Sequence, residues 1–242
     1  MRLPATAVVF DVGGVLFTPD PSLVAAALFR LGLDVGAEEA FRAHYAGMAR
    51  LDADLLGRRD GGGSALRTSY LAGMATELAG PEAAPAVVDA AASSLQVLAR
   101  GPASSVWTHP VPGARAALQA LSQAGVPLAV VSNSDGTVEA KLAASATCQV
   151  GPGPGVEVAA VVDSACLGAS KPDPAIFAPA LDALGLPPSR VAYVGDSVHY
   201  DVAGAERAGM VPVHFDPFGR CRRAGHRHLR RMDRLVSLVA GG

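Results

Sequence analysis

The sequence predicts an α/β protein, a doubly wound parallel sheet with an inserted helical domain. Residues 7–10 form a short apolar run that stops at Asp11. An apolar run without alternation is typical of a strand covered on both faces. From about residue 113 onward, helical and strand-like segments alternate, which indicates a parallel sheet with covering helices. Residues 21–100 contain no convincing strand and are rich in Ala, Leu, Arg and Glu at helical spacing.

These patterns predict two domains and their elements in order. The α/β core domain comprises residues 1–17 and 111–242, and the helical domain comprises 18–110, with a glycine-rich break at 57–64. After the insert the predicted helices are 113–124, 135–145, 174–184 and 201–208, and the predicted strands are 128–131, 158–162, 191–194 and 211–214.

The tail at 220–234 holds seven arginines and two histidines. Such a segment could bind phosphorylated or nucleic-acid partners, but apolar residues recur along it at helical spacing. We therefore predict a solvated amphipathic helix, with its apolar stripe formed by Leu229, Met232, Leu235, Val236 and Val239.

The amino-acid composition argues against several classes of function. The chain has 242 residues, of which 50% are hydrophobic and 17% charged, so it can bury a core. With a net charge of -2, the chain lacks the overall positive charge that would attract nucleic acid or a membrane surface. Three cysteines without ligand-like spacing suggest neither a disulfide framework nor a zinc knuckle. No apolar stretch approaches the roughly 20 residues that span a bilayer, so we expect a cytoplasmic protein.

Asp11 is the most informative residue, because a lone buried carboxylate costs several kcal/mol unless something compensates it. It is expected at the carboxyl end of a buried strand, where open parallel sheets bind ligands, and it is followed by the permissive backbone of Gly13 and Gly14. A purely structural alternative is a strand-end carboxylate that caps a turn. A nucleophile fits the position better.

Three further segments follow predicted strands in the same manner. They are Ser132-Asn133, the loop that carries Lys171-Pro172, and Gly195-Asp196-Ser197 with Asp201 five residues after Asp196. Lys171 is one of only two lysines in the chain. Together with Asp11, these motifs resemble the haloacid dehalogenase (HAD) superfamily in kind and order. The resemblance covers most of the chain outside the insert and implies a HAD-like Rossmannoid core whose insert is an α-helical cap.

The resemblance also implies a chemistry, namely magnesium-dependent hydrolysis of a small phosphorylated metabolite, with no nucleic acid and no membrane as partner. Asp11 would be the nucleophile that accepts the phosphoryl group, and Lys171 would neutralise it and the transferring oxygens. The remaining implied roles are Mg²⁺ ligation by Asp11, the backbone carbonyl of Gly13 and Asp196, second-shell support from Asp201 and Ser197, phosphate binding by Ser132, and loop orientation or substrate contact by Asn133.

The chain departs from most phosphatases of this superfamily at Gly13, where a second aspartate would protonate the leaving alcohol. A general acid is typically worth about 100- to 10,000-fold in rate. A cap residue such as His44 or His109, or a substrate group, could supply the proton, or the leaving group could need none. His199 is expected to support its loop instead.

Two other readings remain open. Dehalogenases of the same superfamily also lack that second aspartate, but they need no metal and do not keep the acid pattern of Asp196 and Asp201. A catalytically weak protein retained for binding or regulation is the non-enzymatic alternative. The phosphonate-hydrolysing branch, which forms a Schiff base through a cap lysine, is set aside because residues 21–110 contain no lysine.

Overall fold

The computed structural model describes residues 3–57, 63–100 and 106–239. Contacts within the chain divide it into two compact units. The first comprises Met1–Leu16, Pro110–Pro217 and Arg223–Gly242, and the second comprises Phe17–His109 and Phe218–Arg222. The predicted boundaries differ from this division by one residue on each side of the insert and by the assignment of residues 218–222.

A six-stranded parallel sheet forms the centre of the first unit, and the predicted fold class is confirmed. Its strand order is β10-β9-β8-β1-β4-β7, and every neighbouring pair is parallel. The strands are β1 (Ala7–Phe10), β4 (Leu128–Ser132), β7 (Val161–Asp163), β8 (Val191–Gly195), β9 (Val211–Phe215) and β10 (Arg227–Leu229). Because β1, β4 and β8 are buried throughout and almost entirely apolar, burial on both faces stabilises them as central strands.

Two further short pairs complete the strands. They are β2 (Phe17–Thr18) with β3 (His109–Pro110), and β5 (Cys148–Val150) with β6 (Val156–Val158).

The helices of the first unit cover the sheet with apolar faces. Ala114, Ala117, Leu118 and Leu121 are buried on one helix at the spacing that places them on a single face. Beneath the sheet, Phe177 packs edge-on against Tyr193 with ring centroids 4.9 Å apart. These helices are α5 (Ala114–Gln123), α6 (Val138–Ala144), α7 (Ser164–Leu167), α8 (Ala178–Leu184), α9 (Ala203–Arg207) and α10 (Asp233–Val239).

The second unit is helical. Asp20 caps its first helix by accepting a hydrogen bond from the backbone of Ser22 at 2.8 Å, and Pro21 occupies the first turn, where its missing N–H costs nothing. Leu28, Met74, Leu95 and their neighbours form its core. The helices are α1 (Pro21–Leu28), α2 (Ala37–Gly57), α3 (Gly63–Ala79) and α4 (Pro85–Leu98). Most of the predicted glycine-rich break at 57–64 lies outside the described residues.

Two predictions about elements are wrong. The predicted strand at 158–162 is interrupted, because β6 ends at Val158 and pairs with β5, whereas β7 begins at Val161 and pairs with β4. The predicted amphipathic tail helix is shorter than its apolar stripe, because Leu229 lies in β10 and only Asp233–Val239 is helical. Backbone pairing with β9 holds residues 227–229 in a strand. Their polar sequence shows no apolar pattern from which this strand could be predicted.

Among the helices within the described ranges, none has the length and apolar character needed to cross a membrane.

Candidate active site

The carboxyl ends of three neighbouring strands bring the predicted motifs together in the first unit. Phe10, the last residue of β1, is paired with Val130 in β4 and with Val194 in β8. Asp11 therefore emerges between the end of β4, at Ser132, and the residue after β8, Asp196. The Asp11 amide also donates to the Val194 carbonyl at 2.9 Å, which fixes the position where its side chain leaves the sheet.

Lys171 bridges two of the carboxylates. Its Nζ lies 2.8 Å from Oδ1 of Asp11 and 2.8 Å from Oδ1 of Asp201. All three residues are buried, with relative exposures of 3% for Lys171, 7% for Asp11 and 2% for Asp201. An ammonium group in this position compensates part of the cost of burying negative charge.

Asp201 is fixed by the loop that follows β8. Its Oδ2 accepts hydrogen bonds from the backbone amides of Asp196, at 3.0 Å, and Ser197, at 2.9 Å. A Cβ at Gly195 would collide with the Asp201 side chain, so this close approach requires a glycine. Asp201 thus holds both the loop and Lys171 in place.

Tyr193 completes the support of the lysine and was missed by the sequence analysis. Its hydroxyl accepts from Lys171 Nζ at 2.9 Å and donates to the Val131 carbonyl at 3.0 Å. Burial, followed by the nearby charges of Asp11 and Asp201, raises the pKa of Tyr193 well above its ordinary value. The only signal in the sequence is a tyrosine inside an otherwise apolar strand.

Electrostatics distinguish the members of this cluster. Burial raises the pKa of Asp11 to about 7, in opposition to Lys171 and with reinforcement from Asp201 and Asp196. Burial by itself would lower the pKa of Lys171, but the two adjacent carboxylates outweigh it and raise that pKa. The lysine therefore stays charged, while Asp11 lacks enough positive charge to be fully ionised at neutral pH.

The carboxylates form a group that could hold a cation. Asp11, Asp196 and Asp201 each offer an oxygen, and these oxygens lie within 4.8 Å of one another. Hard divalent cations prefer such oxygen ligands. Asp201 receives two backbone amides and the lysine, whereas Asp11 receives the lysine and the Val12 amide, the latter at 2.7 Å, so the oxygens of Asp201 are the more heavily committed of the two.

The other predicted site residues lie around this cluster. Ser132 is buried at the end of β4, and Ser197 caps the following segment by accepting from the Tyr200 amide at 3.1 Å. Asn133 ties its loop to Lys171, since its Oδ1 accepts from the Lys171 amide at 2.8 Å and its Nδ2 donates to the Lys171 carbonyl at 3.1 Å. This contact fits the loop-orienting alternative for Asn133. Gly13 follows Asp11 by two residues and is partly buried.

The candidate proton donors have different environments. His44 is fully buried within the second unit, where its Nδ1 lies 2.9 Å from the Tyr70 hydroxyl and its ring packs against Trp107. This environment is that of a packed core histidine. His109 lies in β3 of the same unit. His199 lies after β8, and burial, with a further effect of Arg207, lowers its pKa.

The chain matches a family model described as haloacid dehalogenase-like hydrolase over residues 5–209. It is 49% identical to the glyceraldehyde 3-phosphate phosphatase of Methanopyrus kandleri over 53 residues, which are 22% of this chain and 23% of that protein. The alignment thus spans about a quarter of that relative.

Solved structures resemble the chain over nearly its whole length. A HAD phosphatase from Thermococcus onnurineus has a TM-score of 0.56 at 22% identity, over 97% of this chain and 98% of that one. A 2-haloacid dehalogenase from Pseudomonas syringae pv. Tomato DC3000 has a TM-score of 0.53 at 24% identity, over 98% of each chain. At these identities, the similarity establishes the fold.

Proposed function

This chain belongs to the haloacid dehalogenase-like hydrolases, and from that premise we propose that it is a magnesium-dependent phosphatase of a small phosphorylated metabolite. One observation carries the proposal, the grouping of Asp11, Asp196 and Asp201 around a single buried lysine. Three carboxylates and one ammonium leave a net negative charge in a buried place. A divalent cation would balance that charge.

The same observation favours phosphoryl transfer over dehalogenation. A dehalogenase of this superfamily would use the Asp11 carboxylate without a metal, and it would have no need for a further buried acid in Asp196. Burial raises the pKa of Asp11 to about 7 in the absence of a cation. A nucleophile of that pKa is largely protonated below neutrality, so added positive charge would directly improve its reactivity.

In the proposed reaction, a carboxylate oxygen of Asp11 forms a bond to phosphorus as the bond from phosphorus to the leaving oxygen breaks. Water then attacks the aspartyl-phosphate and regenerates the carboxylate. Lys171 stabilises the charge on Asp11 and on the transferring group, and the Ser132 hydroxyl donates to a phosphate oxygen. Asp11, Asp196 and the Gly13 carbonyl would hold Mg²⁺, which when bound supplies further neutralisation of this charge.

How much the absence of an acidic side chain at residue 13 slows the reaction depends on the leaving group. An aryl oxide departs without protonation, whereas an alkoxide needs a proton. The first assay should therefore use para-nitrophenyl phosphate, with Mg²⁺ in one arm and EDTA in the other. We expect release of nitrophenol that depends on magnesium.

Two variants sharpen this assay. Asp11→Asn should lower kcat by about 1,000-fold or more, because an amide cannot form the covalent intermediate. Asp182→Asn, which changes an exposed carboxylate on α8, is the matched control and should retain activity. Unchanged turnover by Asp11→Asn would contradict the proposal, and so would release of nitrophenol at the same rate in EDTA as in Mg²⁺. Chloride release from 2-chloropropionate without phosphatase activity would assign the protein to dehalogenation instead.

A further inference from the structure

A second cluster of ligand-type side chains lies on the two strands at one edge of the same sheet, beside the carboxylate site. His214 in β9 and His228 in β10 are paired in register across the two parallel strands, and His226 precedes β10 by one residue. The three rings contact one another, with centroids 4.5 to 5.4 Å apart. Each offers a ring nitrogen, and these nitrogens lie within 4.8 Å of one another.

The hydrogen bonds of His214 and His228 determine which nitrogens are available. His214 Nε2 lies 3.1 Å from the carbonyl oxygen of Asp196, and His228 Nε2 lies 3.2 Å from that of Arg223. A carbonyl only accepts, so each Nε2 carries the proton, and in the neutral ring each Nδ1 then has a lone pair. A backbone carbonyl that fixes the tautomer in this way is the usual second shell of a metal-bound histidine.

The two Nδ1 lone pairs face other ring or carboxylate atoms, to which a shared proton or a cation could link them. His214 Nδ1 lies 3.2 Å from His226 Nε2. His228 Nδ1 is buried without a hydrogen-bond partner, and Oδ2 of the buried Asp216 lies 3.6 Å away. Either protons or a cation must lie between these atoms.

We propose that His214, His226 and His228 form a second metal site, which takes a zinc-class transition-metal ion and is chemically distinct from the carboxylate cluster. Imidazole nitrogens suit Zn²⁺, Ni²⁺ and Cu²⁺, whereas Mg²⁺ prefers oxygen, so the two sites select different ions. Three histidines leave one position of a tetrahedral zinc ion for another ligand.

The site would also position the catalytic loop. His214 donates to the carbonyl of Asp196, whose side chain belongs to the carboxylate cluster. A metal on His214 Nδ1 would fix the ring and thereby hold the backbone of Asp196. His214 is thus a positioning residue in this proposal, and the ion is structural.

The test measures zinc directly and does not depend on turnover. The full chain is stripped with a chelator, dialysed, and incubated with Zn²⁺ in a large excess of Mg²⁺, which occupies oxygen-only sites. Metal retained after gel filtration is measured by mass spectrometry. We expect about one zinc ion per chain, and replacement by Co²⁺ should give the visible absorption of a low-coordinate cobalt site.

Four variants separate this site from the others. His226→Gln and, independently, His228→Gln should weaken zinc binding by about 100-fold or more. His109→Gln is the matched control, because it removes a histidine from the second unit, and Asp11→Asn tests whether zinc is instead held by the carboxylates. Both of these variants should retain zinc. Circular dichroism verifies that each variant folds.

The proposal is overturned if the wild-type chain retains no zinc, since the three rings would then be linked by protons alone. It is equally overturned if both glutamine variants retain zinc, or if Asp11→Asn loses it. Phosphatase activity plays no part in these outcomes, so the failure of either proposal would be visible separately.

Discussion

At the scale of single residues, Asp11 combines two properties that oppose each other. As a buried carboxylate its pKa is raised from 3.8 to about 7, mainly by desolvation. The role of nucleophile that we propose for it requires it to be ionised at the pH where the protein works. One lysine shared with Asp201 does not resolve this opposition, so the folded protein holds a destabilising acid in its metal-free state.

This opposition predicts the pH dependence of stability. The folded state binds more protons at Asp11 than the unfolded state between about pH 4 and pH 7, so the free energy of unfolding falls as pH rises through that window. In EDTA, Asp11→Asn should therefore be more stable than the wild type by about 1 to 4 kcal/mol at pH 8. That difference should shrink toward pH 5.

Urea unfolding at several pH values checks this expectation, with Asp182→Asn as a control that should follow the wild type. A variant less stable than the wild type at pH 8 would mean that the Asp11 charge is fully compensated without a cation.

Gly13 supports another prediction at this scale. Gly14, and not Gly13, has a positive φ, of 68°, so an ordinary side chain at residue 13 meets no left-handed backbone. Gly13→Asp would place a carboxyl where most phosphatases of the family have their acid. It should raise kcat for an alkyl phosphate by about 10-fold or more and change kcat for para-nitrophenyl phosphate much less. Steady-state kinetics on both substrates measure this ratio, and Gly13→Asn is the control without a proton to donate. Equal effects on the two substrates would show that protonation does not limit turnover.

At the scale of elements, the loop after β8 depends on close packing against the sheet. Gly195→Ala would push a methyl group into the Asp201 side chain, which is held by two backbone amides. We expect a loss of about 2 to 4 kcal/mol in stability. Gly36→Ala is the matched control, because its methyl group would meet only the flexible end of Glu39. Thermal unfolding compares them, and equal stability of the two variants would mean that the loop can shift to admit the methyl group.

The same scale shows which elements were predictable. β1, β4 and β8 were predicted almost to the residue because all their residues are buried and nearly all are apolar. β10 was not, because its sequence of arginine, histidine and leucine carries no apolar pattern. Its pairing with β9 depends on contacts distant in the sequence, which no local pattern records.

Some residues of the candidate site were likewise predictable from the sequence, and others were not. Asp11 and Asp196 were found because polar residues at the ends of apolar strands stand out in the sequence. Lys171 was found because it is one of only two lysines and lies in a loop that carries one of the family motifs. Tyr193 and His214 were missed because their roles follow from sheet order: Tyr193 reaches Lys171 from within β8, and His214 reaches the Asp196 carbonyl from β9. Neighbours across a sheet must be known before such contacts can be inferred.

At the scale of the whole molecule, the chain consists of two units of different character. The α/β unit contains the whole carboxylate cluster, Lys171 and the three histidines, whereas the second unit is helical and has a core of its own. The parallel sheet and the candidate site therefore belong to one unit. The helical insert between β1 and the rest of the sheet is where substrate choice would be encoded.

The sheet order also has a consequence for biosynthesis. β1 is made first, yet its partners are β4, more than a hundred residues later, and β8, where Val9 pairs with Tyr193. On the ribosome, the strand that carries Asp11 must wait for about four-fifths of the chain before its sheet can close. Contacts between residues so far apart in the sequence slow folding. The apolar strand β1 stays exposed until they form. The helical insert, whose contacts are local, can fold during that wait.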